Sequence, residues 1–281
     1  RIWNVIRHQQ LDFKGRAEVL ERMIHVFESH GFLIEEEPVR YVFALGGYGM
    51  CLNVIGDYQK ALDATVKLLH LKSDKDNVQR SVFLNFATNL SSYTLNTGDV
   101  APFRTHLPYL LPALKQHAPS TPSPTLAYIH YLLAIVFWCA DDTRLANRFA
   151  KRVVNAPAGR NNLQAACKCF LLIFAYEAED PDLILRYART WRRLWNQNAP
   201  RFEIERSFTN FMTRFLDMAD RPTRRLALQS YLDELQAWLS GGFKVRADNF
   251  IFIVHWLRAK IEDRTLVEIV RAQTTPDAES A

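Results

Sequence analysis

Four side chains between positions 85 and 96 have the types and the spacing to hold a peptide. Asn85, Asn89, Ser92 and Asn96 are separated by 4, 3 and 4 residues, so in a helix they share one face. A primary amide offers both a donor and an acceptor. A row of amides can therefore pair with the backbone of an extended segment without reading its side chains. The alternative is a solvated polar helix face, and the residues leave both readings open. Tyr128, Tyr131, Ile135 and Trp138 form a second row at helical spacing. Aromatic rings provide large contact area at small entropic cost, as in binding hot spots. Equally, such a stripe packs between helices as core. A third group is cationic. Arg186, Arg189, Arg192 and Arg193 open a run of ten arginines that ends at Arg225, with four acids and with Trp191 and Trp195 interleaved. Such a run can hold phosphates or an acidic protein segment, although no nucleic-acid fold motif accompanies it. Solvated helix faces account for the arginines as well, and the two tryptophans, four apart, fit packing between helices.

Catalytic signatures are missing. There is no H-E-x-x-H, no G-x-S-x-G and no P-loop. The eight histidines are scattered, and His25 and His30 fall on different helix faces. The run Gly46-Gly47-Tyr48-Gly49 follows no strand pattern and lies in a helix-period stretch, which points to close helix packing rather than a phosphate loop. Glu203/Glu205 and Asp141/Asp142 fall at turns or on polar faces, where solvation and capping explain them. The expectation is a non-catalytic protein with no metal and no cofactor.

Bulk properties narrow the class. The chain has 281 residues, 23% charged and 48% hydrophobic, a balance that argues against disorder. A net charge of +5 permits an acidic partner without requiring one. Four cysteines are too few for a disulfide scaffold of this length and read as reduced thiols. No apolar run reaches the roughly 18–20 residues of a membrane span; Tyr131–Ala140 comes nearest and stops at Asp141. The expected location is cytoplasmic. The chain starts at Arg1 with no signal peptide, which reads as a fragment or processed product, and residues 273–281 read as a polar tail.

The elements that must position these residues are helices. Apolar residues recur at three and four throughout, and no strand-like alternation is present. Tight turns are expected at Gly56-Asp57, Gly98-Asp99, Asp141-Asp142, Glu179-Asp180, Ala219-Asp220 and Glu262-Asp263, at intervals of 42, 43, 38, about 41 and about 42 residues. Each interval holds two helix-length stretches, the signature of stacked helical hairpins. The repeats are placed at 38–72, 77–117, 123–155, 161–197 and 200–240, flanked by 3–30 and 247–272. Pro108 and Pro112 fall inside one helix and predict a kink or restart there.

The stretch Gly56–Leu69 resembles the turn and second helix of a tetratricopeptide (TPR) repeat. Gly56 stands at the turn, Tyr58 follows, and Ala61 fills the small packing position; Gly49 and Leu52 match the small and large positions of the preceding helix. Weaker copies begin at Gly98, with Phe103 where a small residue is expected, and at Asp141, with Ala134 and Ala146 in small positions. The copy at Glu179 keeps only the turn. Over residues 35–200 the chain is similar to uncharacterised bacterial TPR-like proteins, with a period longer than the usual ~34 residues. The resemblance implies an all-α, right-handed α-solenoid of about five antiparallel hairpins over 35–272, preceded by an incomplete element at 1–34. It also implies that Asn85, Asn89, Ser92 and Asn96 line a concave groove with Tyr128, Tyr131 and Trp138 beside them. The implied function is a protein- or peptide-binding scaffold. The alternatives are nucleic-acid or acidic-partner binding through 186–225, and a structural or self-association module.

Overall fold

One backbone device recurs at the ends of helices and sets the architecture. Among the described residues, those with left-handed backbone are Gly56 (φ 88°), Gly98 (φ 67°), Asp141 (φ 64°), Glu179 (φ 54°) and Asp263 (φ 54°). All lie at turns expected from the sequence. After four of them the next amide reaches back across the turn: Asp57 to the Leu52 carbonyl (3.0 Å), Asp142 to Phe137 (2.8 Å), Asp180 to Ala175 (3.0 Å) and Arg264 to Ala259 (3.0 Å). These bonds satisfy carbonyls that the helix end would otherwise leave open. At three of the expected turns the following helix is capped by an aspartate. Asp142 accepts from the Leu145 amide (2.9 Å), Asp180 from Leu183 (2.8 Å) and Asp220 from Thr223 (2.8 Å). Asp57 differs: it caps no amide and pairs with Lys60 at 3.1 Å.

The computed structural model describes residues 12–156, 161–197, 202–218, 220–240 and 251–274, and no strand occurs among them. The chain divides into two units, 1–122 and 123–281. The first contains α1 (Phe13–Ser29), α2 (Phe32–Glu36), α3 (Pro38–Ile55), α4 (Tyr58–Lys67), α5 (Asp76–Thr97) and α6 (Ala101–His117). Here α1, α4 and α5 all pack on α3, while α4 and α6 pack on α5. Helix α6 does not restart at its prolines; it runs through Pro108 and Pro112. Both are exposed and four apart, so the carbonyls that lose their amide partners face water rather than core.

The second unit contains α7 (Ser123–Cys139), α8 (Thr143–Val154), α9 (Asn161–Glu177), α10 (Pro181–Gln197), α11 (Glu203–Leu216), α12 (Arg221–Ser240), α13 (Ile251–Glu262) and α14 (Leu266–Thr274). Consecutive helices from α7 to α14 pack together, and α9 also touches α7 and α11. A longer-range contact joins the last helix to the first: α14 lies on α7. Helix α13 likewise reaches back to the end of α9, where Glu177 accepts from Trp256 Nε1 at 2.6 Å and pairs with Lys260 at 2.8 Å. In an open array each repeat touches only its neighbours. This unit instead folds its last two helices back over its first ones.

Two histidines lie in the core of the second unit. The His130 ring is 5.6 Å from that of Phe149, over which Arg152 also sits, and His255 Nδ1 is 3.2 Å from the Gln273 amide. Burial first, and then the Arg152 and Arg258 charges, lower these two imidazoles from 6.5 to about 4. Folded values below the unfolded one make their contribution fully present above pH 6.5 and remove it as pH falls toward about 4. Urea unfolding across that window should show stability falling with pH, and a His130→Gln/His255→Gln variant should lose part of that slope. An unchanged slope would contradict neutral buried imidazoles.

Candidate functional site

The asparagine row lies at the seam between α3 and α5, and it faces inward. Asn89 Nδ2 donates to the Gly46 carbonyl at 2.8 Å, and Asn96 Nδ2 to the Asn53 carbonyl at 3.3 Å. Asn53 returns a bond to the Asn89 carbonyl at 3.4 Å. A helix carbonyl has a second lone pair beside the one its own helix uses, so these cross-helix bonds leave both ladders intact. Asn89 is 1% exposed. Asn85 bonds within its own helix to Ser81, and Ser92 is half-buried. The expectation that this row lines an open groove is therefore corrected: Asn89 is enclosed, and Asn96 directs its donor to α3. Helical spacing placed the four on one side of α5 but could not say that α3 covers that side.

Glycines permit this approach. A Cβ on Gly46 would stand 2.2 Å from Asn85 Oδ1 and 2.8 Å from its Cβ, and one on Gly49 would stand 3.0 Å from Asn89 Nδ2. The glycine run thus serves helix packing. Gly47 belongs to a different seam, with its nearest neighbour the Leu20 side chain of α1 at 3.3 Å.

The aromatic row is also interior. Tyr131 stacks on Phe170 (6.0 Å between centroids), and Trp138 packs on Phe170 (5.6 Å) and Phe174 (5.3 Å). These contacts join α7 to α9; Tyr131, Ile135 and Trp138 are buried and Tyr128 half-buried. The binding role expected for Tyr131 and Trp138 is replaced by a core role.

The arginine run breaks into separate environments. Arg186, Arg189 and Arg193 are exposed on α10, opposite buried Ile184, Ala188, Trp191 and Trp195. Arg192 is also exposed and donates to Thr213 Oγ1 at 3.0 Å. Arg221 pairs with Asp263 at 2.6 Å, and Arg224 Nε donates to the Met218 carbonyl at 2.8 Å. Arg206 and Arg214 line a cleft with Glu203 and Glu234. Arg201 lies outside the described residues. Trp195 packs between helices as expected, donating to Thr209 Oγ1 of α11 at 3.1 Å, whereas the stacking partner of Trp191 is Tyr187 of its own helix. The expectation of a solvated Glu205 fails, because its side chain is buried; the Lys168 ammonium is lowered by burial, while the Cys169 and Glu205 charges act on it in the opposite direction.

No protein-family model, characterised protein or solved structure matches the chain. Among the described residues no cluster of three or more His, Cys, Asp or Glu could hold a metal, and no helix is long and apolar enough to cross a membrane. All four cysteines are buried. A cleft of about 350 Å³ opens between α1, α3 and α4, lined among others by Glu21, Glu28, Tyr48, Lys60 and Lys67. Several of its polar groups already have partners. Tyr48 donates to Glu21 and Tyr41 to Glu28, both at 2.8 Å, and Lys67 pairs with Glu28 at 2.6 Å. Burial and the Glu21 carboxylate push the Tyr48 phenol up to about 12.

The surface that sequence reasoning missed is apolar. Val19, Met23 and Val26 of α1, Phe32 of α2, and Phe43, Val54 and Ile55 of α3 are all exposed, Phe43 by 61%. A signal was present. Phe43, Gly47, Met50 and Val54 repeat the 4, 3, 4 spacing of the asparagine row one turn-to-turn interval earlier. The seam itself gives a contrast between adjacent glycines. Gly46→Ala should cost about 2 kcal/mol by overpacking against Asn85. Gly47→Ala, facing only the flexible end of Leu20, should be near neutral or stabilising through helix propensity. Urea midpoints of the two variants check this, and equal effects would contradict the seam.

Proposed function

We propose that the chain is a non-catalytic protein-binding scaffold built from TPR-like hairpins. In this reading its first unit receives an amphipathic helix of another protein on the apolar surface along α1 and α3. The carrying observation is that surface. Of the ten exposed large hydrophobics among the described residues, Val19, Met23, Val26, Phe32, Phe43, Val54 and Ile55 all fall in this short part of the chain. Contiguous exposed apolar surface marks an interaction site more often than a packing accident.

Geometry supports the choice of occupant. The Tyr41–Glu28 and Tyr48–Glu21 bonds run in opposite order along the two helices, so α1 and α3 are antiparallel. Leu20 meets Gly47 at their seam. Met23, one turn further along α1, and Phe43, one turn back along α3, then flank that seam on the same side. A surface formed by two helices has no free backbone edge for strand addition. It suits a helix presenting apolar residues at i, i+3, i+4 and i+7. The asparagine row has no part in this mechanism. TPR-like stacking and a right-handed superhelix remain part of the proposal for the first unit, on the strength of the recurring turns and of Gly49 and Ala61 in small packing positions.

Selection from a displayed library of amphipathic helices tests the reading. Selected peptides should carry the four-position apolar pattern, and Phe43→Glu should weaken them at least tenfold with little change in the urea midpoint. Peptides unaffected by Phe43→Glu would overturn it. So would a dimer in light scattering that Phe43→Glu dissociates, because the surface would then be a self-interface.

A further inference from the structure

Two helices of the second unit present cations to solvent with almost no acid between them. Helix α8 buries Ala146, Phe149, Ala150 and Val153 and has no Asp or Glu along its length. Its exposed positions carry Arg144, Arg148, Lys151 and Arg152. Helix α10 exposes Arg186, Arg189 and Arg193, with Asp182 in its first turn as the helix's one acid. Both helices pack on α9, α8 also on α7 and α10 also on α11, so their basic faces point away from that inner layer. None of the seven cations has an ion pair among the described residues. Arg152 sits over the Phe149 ring at 5.2 Å, and the Arg148 charge is close enough to act on it.

We propose that the outward faces of α8 and α10 bind the phosphodiester backbone of double-stranded nucleic acid. Each row places cations one helical turn apart, about 5–6 Å, over a span of roughly 10 Å. Phosphates on one strand of a duplex advance about 3.4 Å each along the axis, so one row meets several of them. Arginine supplies six of the seven cations and presents a planar fork suited to phosphate oxygens. Other anionic partners fit less well. A folded acidic protein needs apolar anchors at the centre of its interface, yet the exposed positions of α8 are all polar and Leu185 is the one exposed large hydrophobe of α10 among the described residues. Single strands need open stacking rings, whereas Tyr187 and Trp191 stack on each other at 4.6 Å with Trp191 buried. A membrane surface needs an apolar face free to insert, and that of α8 is packed on α7 and α9.

The test is fluorescence anisotropy with labelled duplex DNA and duplex RNA of mixed sequence, titrated from low to physiological salt. Affinity should fall linearly on a log–log salt plot with a slope near −5, for about six neutralised phosphates. Arg144→Glu/Arg148→Glu/Lys151→Glu should weaken binding at least tenfold and flatten that slope, and so should Arg186→Glu/Arg189→Glu/Arg193→Glu. Lys72→Glu/Lys75→Glu, exposed in the other unit, should leave it unchanged. If a reversal variant unfolds, the corresponding glutamine variants should give the same direction with a smaller loss. No binding at low salt would overturn the proposal, as would binding that neither triple variant reduces. Polyglutamate or phosphatidylserine vesicles bound as tightly as duplex at equal charge would also overturn it. The two duplex arms separate DNA from RNA as the source of the phosphates. The peptide selection on the first unit is independent of all of these outcomes.

Discussion

The first unit is organised around a close approach of two helices sealed by side-chain amides on backbone carbonyls. Gly46 and Gly49 leave α3 without side chains where α5 comes nearest. Asn89 then reaches the Gly46 carbonyl, and Asn96 the Asn53 carbonyl. Both bonds join residues 43 apart, so they fix the register of α5 against α3. A buried amide without a partner costs about 1–3 kcal/mol, which penalises every other register. The turns supply the rest of the geometry. A left-handed residue closes one helix, and at the Asp141 and Glu179 turns an aspartate caps the next.

Turns were legible because their chemistry is local. Gly56 and Gly98 relieve a left-handed backbone of its Cβ penalty, and Asp142 and Asp180 bond to amides three residues on. The facing of a helix is a different matter. Spacing placed Asn85, Asn89, Ser92 and Asn96 on one side of α5, but which neighbour covers that side depends on the approach of α3, which four residue identities do not encode. Tyr131 and Trp138 failed in the same way, since α9 arrives with Phe170 and Phe174 against them. Glu205 looked like a surface carboxylate because its burial depends on what covers α11. The return of α14 onto α7 is a contact between the two ends of the second unit, and no local pattern announces it.

The surfaces left over differ between the units. The first exposes large apolar side chains on α1 and α3; the second exposes arginines on α8 and α10. Apolar patches form contacts by removing area from water, whereas basic rows act through counterion release and respond steeply to salt. The proposed helix-binding role and the proposed duplex-binding role therefore respond to different conditions and different substitutions. Neither draws on the asparagines, whose amides close the seam between α3 and α5.

Side-chain amide hydrogen exchange at Asn89, followed by NMR, tests that closure most directly. With its Nδ2 held on the Gly46 carbonyl and out of solvent, Asn89 should exchange orders of magnitude more slowly than Asn77, which is exposed on the same helix. Exchange at Asn89 as fast as at Asn77 would mean that the row is open to solvent, and the seam would have to be abandoned as the organising contact.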